Sequence, residues 1–247
     1  MKGVIPAAGE GKRLKPYTNA VPKELLLVGD KPIIEHVIEG LKIAGIKDII
    51  VVISRGKYAI IDYLGSGSSL GVKLTYVIQE KREGLAKAVE CAKHLINDTF
   101  VVVNADNFFY PKDAIRDLIS FHFEQEADAT IAAFEAEDVT RHGIIVAEGN
   151  RVIDIVEKPK PEEAPSKLGD AGIHVFEPVI FDAISKIKPG VGNEYQLTDA
   201  IKMLVEMGRK VIFREIDFHI DVGTVRDWRK VNKMVNACYG LVIWKVK

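Results

Sequence analysis

The segment Val4-Ile5-Pro6-Ala7-Ala8-Gly9-Glu10-Gly11-Lys12-Arg13-Leu14 places a glycine loop directly after an apolar run, with a fixed cation two residues past the second glycine. Such loops bring backbone amides close to phosphate, and an arginine can fork onto phosphate oxygens. Two common versions fail here. A dinucleotide fingerprint needs a small residue where Leu14 stands; a P-loop needs Gly at Pro6 and Ser or Thr at Arg13. Alone, the loop also fits a tight surface turn with a solvated basic patch. Five further segments add chemistry. Val21-Pro22-Lys23-Glu24 supplies a second cation, and Gln79 ends an apolar run before Gly84 opens a helical one. Asn104-Ala105-Asp106-Asn107 follows a buried run, at the strand end where open α/β sheets place their ligands. Glu157-Lys158-Pro159 closes a strand with an acid and a base, and Asp221-Val222-Gly223-Thr224 ends another with a carboxylate.

Each segment has a plainer reading. Asp106 could cap a turn, and Glu157–Lys158 could be a solvated pair worth about 0–1 kcal/mol. Gln196–Ala200 reads as structural, with Thr198 and Asp199 at a helix start. The six histidines form no His-Glu-x-x-His pattern, although His174 and His219 fall near site strands where they could touch a ligand. Cys91 falls within a helical stretch and reads as core packing.

These side chains need elements to hold them. Gly3–Pro6, Asp48–Ile53, Lys73–Ile78 and Thr99–Asn104 read as strands, and the continuous apolar runs among them suit strands covered on both faces. Between them, 32–44, 57–64, 84–96 and 112–124 have helical spacing. Repeated β-α-β predicts a parallel sheet flanked by helices. After about residue 140 the pattern changes. Ile144–Ala147 and Val152–Val156 form a hairpin around Glu148–Arg151, and the proline-rich stretch from Lys158 to Pro165 is a loop. Gly172–Phe176 is a strand, 178–187 and 196–207 are helices, Val211–Arg214 and Phe218–Ile220 are strands, and 225–237 is a helix. The apolar Leu241–Val246 reads as an edge strand or a packed tail. The expected fold is α/β, a single domain over 1–247 built on a Rossmann-like mixed, mostly parallel sheet flanked by helices, with a hairpin-rich C-terminal half.

Composition excludes several classes. Lys plus Arg number 34 against 35 Asp plus Glu, so the surface lacks the cationic excess of a nucleic-acid binder. Only Cys91 and Cys238 occur, without C-x-x-C spacing, which argues against a disulfide framework or cysteine zinc site and fits a reducing cytoplasm. No apolar run is long enough to span a bilayer. The expectation is a soluble, cytoplasmic protein handling a small ligand, with neither nucleic acid nor membrane as partner.

The ordered set of segments resembles the sugar-1-phosphate nucleotidylyltransferase family from Val4 to about Trp228. It contains Ala-Ala-Gly-x-Gly-x-Arg-Leu, Pro-Lys, Gly-Leu-Ala, Asp-Asn, Glu-Lys-Pro, Gln-Leu-Thr-Asp-Ala and Asp-Val-Gly-Thr. The resemblance implies the nucleotide-diphospho-sugar transferase fold and attack of a sugar-1-phosphate oxygen on the α-phosphorus of a nucleoside triphosphate. Such transfer relies on positioning and charge neutralisation, with no Ser, Cys or His nucleophile. It further implies a nucleotide-binding half (1–140) and a sugar-phosphate-binding half (141–240). Ala8, Gly9 and Gly11 would wrap the triphosphate, with Gln79 and Gly84 reading the base. Arg13, Lys23 and Lys158 would be the catalytic cations. Gly143, Glu157, Lys158 and Gly172 would bind the sugar phosphate, and Asp106 and Asp221, 115 residues apart, would hold Mg²⁺.

Pro22-Lys23-Glu24 and Glu157–Ser166 look like bacterial glucose-1-phosphate uridylyltransferases, whereas Gly84-Leu85-Ala86 and Asp221-Val222-Gly223-Thr224 look like thymidylyltransferases. Ala105 replaces the usual glycine, and Glu24 stands where thymidylyltransferases often carry Gln. The implied substrates are glucose-1-phosphate with dTTP or UTP. The alternatives are a mannose-1-phosphate guanylyltransferase, a cytidylyltransferase for another polyol phosphate, or a catalytically silent subunit of this type. The resemblance also allows a homo-oligomer.

Overall fold

Short β-branched runs bounded by glycine and proline become strands here, and the amphipathic stretches between them become helices. A computed structural model describes residues 1–245, with side chains through Ala237. In chain order the elements begin with β1 (Lys2–Ala7), β2 (Leu27–Val28), β3 (Lys31–Pro32), α1 (Ile33–Ile43), β4 (Asp48–Ser54), α2 (Ala59–Leu64) and β5 (Lys73–Gln79). There follow α3 (Leu85–Glu90), β6 (Phe100–Val103), β7 (Asn107–Tyr110), α4 (Ala114–Glu124), β8 (Ala129–Glu135), β9 (Gly143–Glu148) and β10 (Arg151–Glu157). The chain continues through β11 (Leu168–Phe176), α5 (Ile180–Lys186), α6 (Leu197–Glu206), β12 (Val211–Glu215), β13 (Phe218–Asp221) and α7 (Val225–Lys245).

Nine strands form one mixed sheet in the order β5-β4-β1-β6-β11-β8-β12-β10-β9. The first four run parallel, as their β-α-β spacing demands. β11 is antiparallel to both β6 and β8, β12 is parallel to β8, and the β9–β10 hairpin closes the edge. Alternation along the inner strands splits the core across the sheet. Val4, Ile50, Val52 and Val102 join the cluster on one face; Ile5, Val51, Ile53, Val101 and Val103 join that on the other. Both faces are buried, so these strands carry almost no polar residues.

The order of strand addition positions the site. The chain builds outward from β1 through β4 to β5, then returns to lay β6 on the other edge of β1. At such a switch point the loops leaving adjacent strands diverge and open a crevice at the carboxyl ends. The loops after β1 and β6 begin there, and they carry Gly9–Gly11 and Asp106.

Several expectations are corrected. The helix expected over 84–96 ends at Glu90 and continues only as turns, with a short 3-10 turn at Lys93–Leu95. Four strands went unpredicted: β8, in the middle of the sheet, β7, which pairs with β13 as a separate ribbon, and the two-residue β2 and β3, which pair with each other. Leu241–Val246 is not an edge strand: α7 runs on through Lys245, because Val225–Lys245 carries no proline and its one late glycine does not break it; Val246 lies outside the described residues. Cys91 is half-buried at the end of α3 and packs against the core, while Cys238 lies beyond the described side chains.

Candidate active site

From Ala7 the chain leaves β1 through Ala8–Gly11 into a 3-10 turn over Lys12–Leu14, closed by Leu14 N–H donating to Gly11 O at 3.0 Å. Leu14 is fully buried and anchors the turn, which leaves Arg13 outward on the crevice side. Thr18 Oγ1 donates to Gly11 O at 2.9 Å from the other side. Lys23 enters on a second 3-10 turn, Lys23–Leu25, and its ammonium lies against the loop at Gly9.

A register explains how two distant carboxylates meet. β7 and β13 pair antiparallel with Asn107 opposite Asp221, and Val222 N–H donates to Asp106 O at 2.9 Å. Asp106 and Asp221 therefore stand side by side, near enough for the charge of one to act on the other. Lys23 Nζ is ion-paired to Asp106 Oδ2, and Arg13 Nη2 lies 4.0 Å from Asp221 Oδ2. Burial would raise the Asp106 carboxyl, but the Lys23 ammonium beside it holds it below the usual range. Asp221 has no such close cation; burial, then the charge of Asp106, push it up to about 7. Burial alone would lower the Lys23 ammonium, yet Asp106, Glu24 and Asp221 together raise it. Two adjacent oxygen donors with surplus negative charge suit a hard divalent cation that keeps most of its waters. Among the described residues, no group of three or more Asp, Glu, His or Cys side chains forms a larger metal cluster.

The opposite wall comes from the C-terminal half. Glu157 ends β10 with only 9% of its side chain exposed, so it is not half of a solvated surface pair. Its Oε1 takes the Lys158 ammonium, and its Oε2 accepts from Thr198 Oγ1 at 2.5 Å. Thr198, read from sequence as structural, thus holds a site carboxylate. Gly143 and Gly172 line the cavity, but the room made by their missing Cβ atoms is filled by protein. A Cβ at Gly143 would lie 2.2 Å from Thr198 Cγ2, and one at Gly172, where φ is +65°, 2.3 Å from Asn104 Nδ2. Gly172 sits where the β11–β8 register shifts, a bulge that turns its carbonyl to accept from Asn104 N–H at 3.0 Å.

On the nucleotide side Gln79 is buried at the end of β5, and its Nε2 donates to Gly84 O at 3.2 Å. Arg82 binds Glu10 Oε1, Ser54 Oγ and Arg55 O, so it straps the glycine loop to β4. One cavity of about 620 Å³ is lined by Ala8, Gly9, Gly11, Arg13, Lys23, Gln79, Gly84, Asp106, Gly143, Glu157, Lys158, Gly172 and Asp221. The structure thus brings together every residue singled out as a site candidate.

Of the other lining residues, Arg141 and Asp170 escaped sequence reasoning, whereas His174 and His219 were expected near the site. Arg141 makes a two-pronged contact with Asp227, at 3.1 and 2.6 Å, and fronts the same cavity. Asp170 is buried; its Oδ1 accepts from Gly172 N–H and its Oδ2 lies 2.9 Å from His174 Nε2. His174 and His219 both line the cavity, and burial drives His219 down to about 3. Nothing in the local spacing of Arg141 or Asp170 marks them: Arg141 meets Asp227 of α7 from a 3-10 turn ahead of β9, and Asp170 is placed by the register of β11.

Over residues 2–237 the chain matches the family model described as nucleotidyl transferase. It is 38% identical over 240 residues to the low-salt glycan biosynthesis nucleotidyltransferase Agl11 of Haloferax volcanii, an alignment covering 96% of this chain and 65% of that protein. The chain therefore spans just under two thirds of that longer relative. Two crystal structures superimpose with a TM-score of 0.86. One is a Bacillus anthracis protein assigned as a glucose-1-phosphate thymidylyltransferase, in complex with sucrose (31% identity, 95% of this chain, 94% of that chain). The other is a UDP-glucose pyrophosphorylase complexed with UDP-glucose (30% identity, 97% and 98%).

Proposed function

The chain belongs to the nucleotidyl transferase family, and from that premise we propose that it joins a sugar-1-phosphate, of the glucose type, to the nucleotidyl group of dTTP or UTP. A phosphate oxygen of the sugar-1-phosphate would attack the α-phosphorus. The α–β phosphoanhydride bond would break, and pyrophosphate would leave with the bonding electrons. The observation that carries this reading is the meeting of the two halves. Arg13 and Lys23 lie beside the glycine loop on one wall of the cavity, while Glu157, Lys158 and the Asp106–Asp221 pair complete it.

In this arrangement Ala8–Gly11 and Arg13 would hold the β- and γ-phosphates, so the departing charge is met without reorganisation. Lys23 would share its charge between Asp106 and the triphosphate. Lys158 would fix the attacking phosphate, and Glu157, pinned by Thr198, would accept from sugar hydroxyls. Gln79 and Gly84 would face the base. Asp106 and Asp221 would hold Mg²⁺, which supplies charge neutralisation at the phosphates when bound. The two structural relatives differ in the base they are named for and superimpose on this chain with the same TM-score, which supports either pyrimidine triphosphate as the donor.

Pyrophosphate release across a panel of four ribonucleoside triphosphates and dTTP, each with glucose-, mannose- and N-acetylglucosamine-1-phosphate, tests the reading. Turnover with UTP or dTTP and glucose-1-phosphate is expected. A preference for GTP with mannose-1-phosphate, or silence across the panel, would reject it.

A further inference from the structure

Beneath the cavity wall lies a buried ion pair that the reaction above does not use. Lys57 follows β4, in the turn that enters α2, and its side chain is 7% exposed; the Glu24 side chain is fully buried. Lys57 Nζ lies 2.6 Å from Glu24 Oε1, 2.8 Å from Glu24 Oε2 and 2.9 Å from Ala7 O. An ammonium has three N–H donors, and all three are thereby met. Next to it, Ser54 Oγ donates to Ala8 O at 2.9 Å.

A buried salt bridge is a poor stabilising device, because desolvation consumes much of the Coulombic gain and well-packed apolar residues often do as well. What distinguishes this pair is what it connects. Ala7 is the last residue of β1, at the root of the glycine loop, and Glu24 is the chain neighbour of Lys23. One ammonium therefore ties together the bases of two phosphate-facing segments, 50 and 33 residues away from it in sequence. An apolar pair of equal volume would fill the space but would not fix the carbonyl of Ala7 relative to the turn that carries Lys23.

We propose that Lys57 and Glu24 are positioning residues for nucleotidyl transfer, setting the glycine loop and Lys23 at the mutual distance the triphosphate requires. With the Glu24 side chain fully buried and Lys57 nearly so, the pair acts through the two segments it joins. The inference rests on the proposed function for what the site binds, and on the hydrogen-bond geometry alone for the tie.

The test is the double variant Glu24→Gln/Lys57→Met, which removes both charges together and leaves no unpaired ion. Its melting temperature is expected within a few degrees of the parent. Its kcat is expected to fall at least tenfold with the KM for sugar-1-phosphate changed less than about threefold, the split that a displaced triphosphate site produces. A folded double variant with kcat within twofold of the parent would overturn the proposal and leave the pair a structural one. If the double variant does not fold, Glu24→Gln, which keeps the shape and one acceptor, takes its place. A threefold or larger loss of kcat supports the proposal, and an unchanged kcat overturns it. Should the parent itself turn over none of the panel, the proposed reaction fails. The tie is then read by calorimetric titration with UTP: binding about tenfold weaker in the double variant supports it, and equal affinity rejects it.

Discussion

Asp221 illustrates why a site is costly to the protein that holds it. Its carboxyl is half-buried beside Asp106, and among the described residues the only cation in ion-pair contact with it, Arg13, stands 4.0 Å away at the solvent edge. The pKa near 7 is the signature of a charge held where the fold alone does not want it. Asp221→Asn keeps the shape and removes that repulsion. In chelator at pH 8 it is expected to melt above the parent, while pyrophosphate release falls by about two orders of magnitude or more, the scale of losing a preorganised charge. A lowered melting temperature would show that Asp221 is structurally supported. At this scale the sequence was informative about which residues meet: Arg13, Lys23, Asp106, Glu157, Lys158 and Asp221 all line the same cavity, and all were singled out. Thr198 was not, because an unremarkable helix-start threonine becomes a site residue only through its bond to Glu157.

Between residues and molecule stand the strands that aim them. The β7–β13 ribbon is two short strands of four residues each, yet its register alone sets Asn107 opposite Asp221. It was missed because Asn107–Tyr110 is too brief and too close to a polar turn to show period-2 alternation, and because pairing across so long a separation leaves no local trace. β8 was missed for another reason. Its Ala-rich run packs on both faces of a mixed sheet, a weak signal beside the Val- and Ile-rich strands. The bulge in β11 is the most demanding device, since Gly172 adopts a left-handed conformation against Asn104. Gly172→Ala is expected to cost on the order of 2 kcal/mol or more, from backbone strain plus displacement of Asn104. Chemical denaturation would measure it. Turnover should fall as well, because Asn107 Nδ2 donates to Ala171 O at 2.6 Å and Gly172 O at 3.1 Å, beside Asp106. A variant as stable and active as the parent would mean that the bulge does not position the site.

For the molecule as a whole, a net charge of −1 conceals groups whose folded and unfolded ionisation differ. His36 is buried, and its Nε2 lies 2.8 Å from the Val28 carbonyl, so the neutral tautomer carrying a proton there donates to it. Burial lowers its pKa to about 4, and burial likewise lowers His219 to about 3 and holds His122 and His142 below the ordinary value. A histidine depressed in the fold takes up its proton more readily when unfolded, so its contribution is complete above the unfolded pKa and is lost as pH falls toward the folded one. Asp221 has the opposite sign: its raised pKa favours the fold in acid and is a penalty that grows as pH rises from about 4 to 7. Four lowered histidines, joined by Asp106, Asp170 and Asp227, which are held below the usual carboxylate range, outweigh the raised Asp221, Glu24 and Asp199, and the melting temperature in chelator is expected to decline steadily from pH 6.5 toward pH 4. Asp221→Asn removes the opposing gain and should steepen that decline, so that the advantage it holds at pH 8 shrinks in acid. His36→Gln, which retains a donor for Val28 but cannot be protonated, should make the decline shallower. A flat profile for the parent, or a steeper one for His36→Gln, would show that these histidines are solvated or already charged in the folded protein.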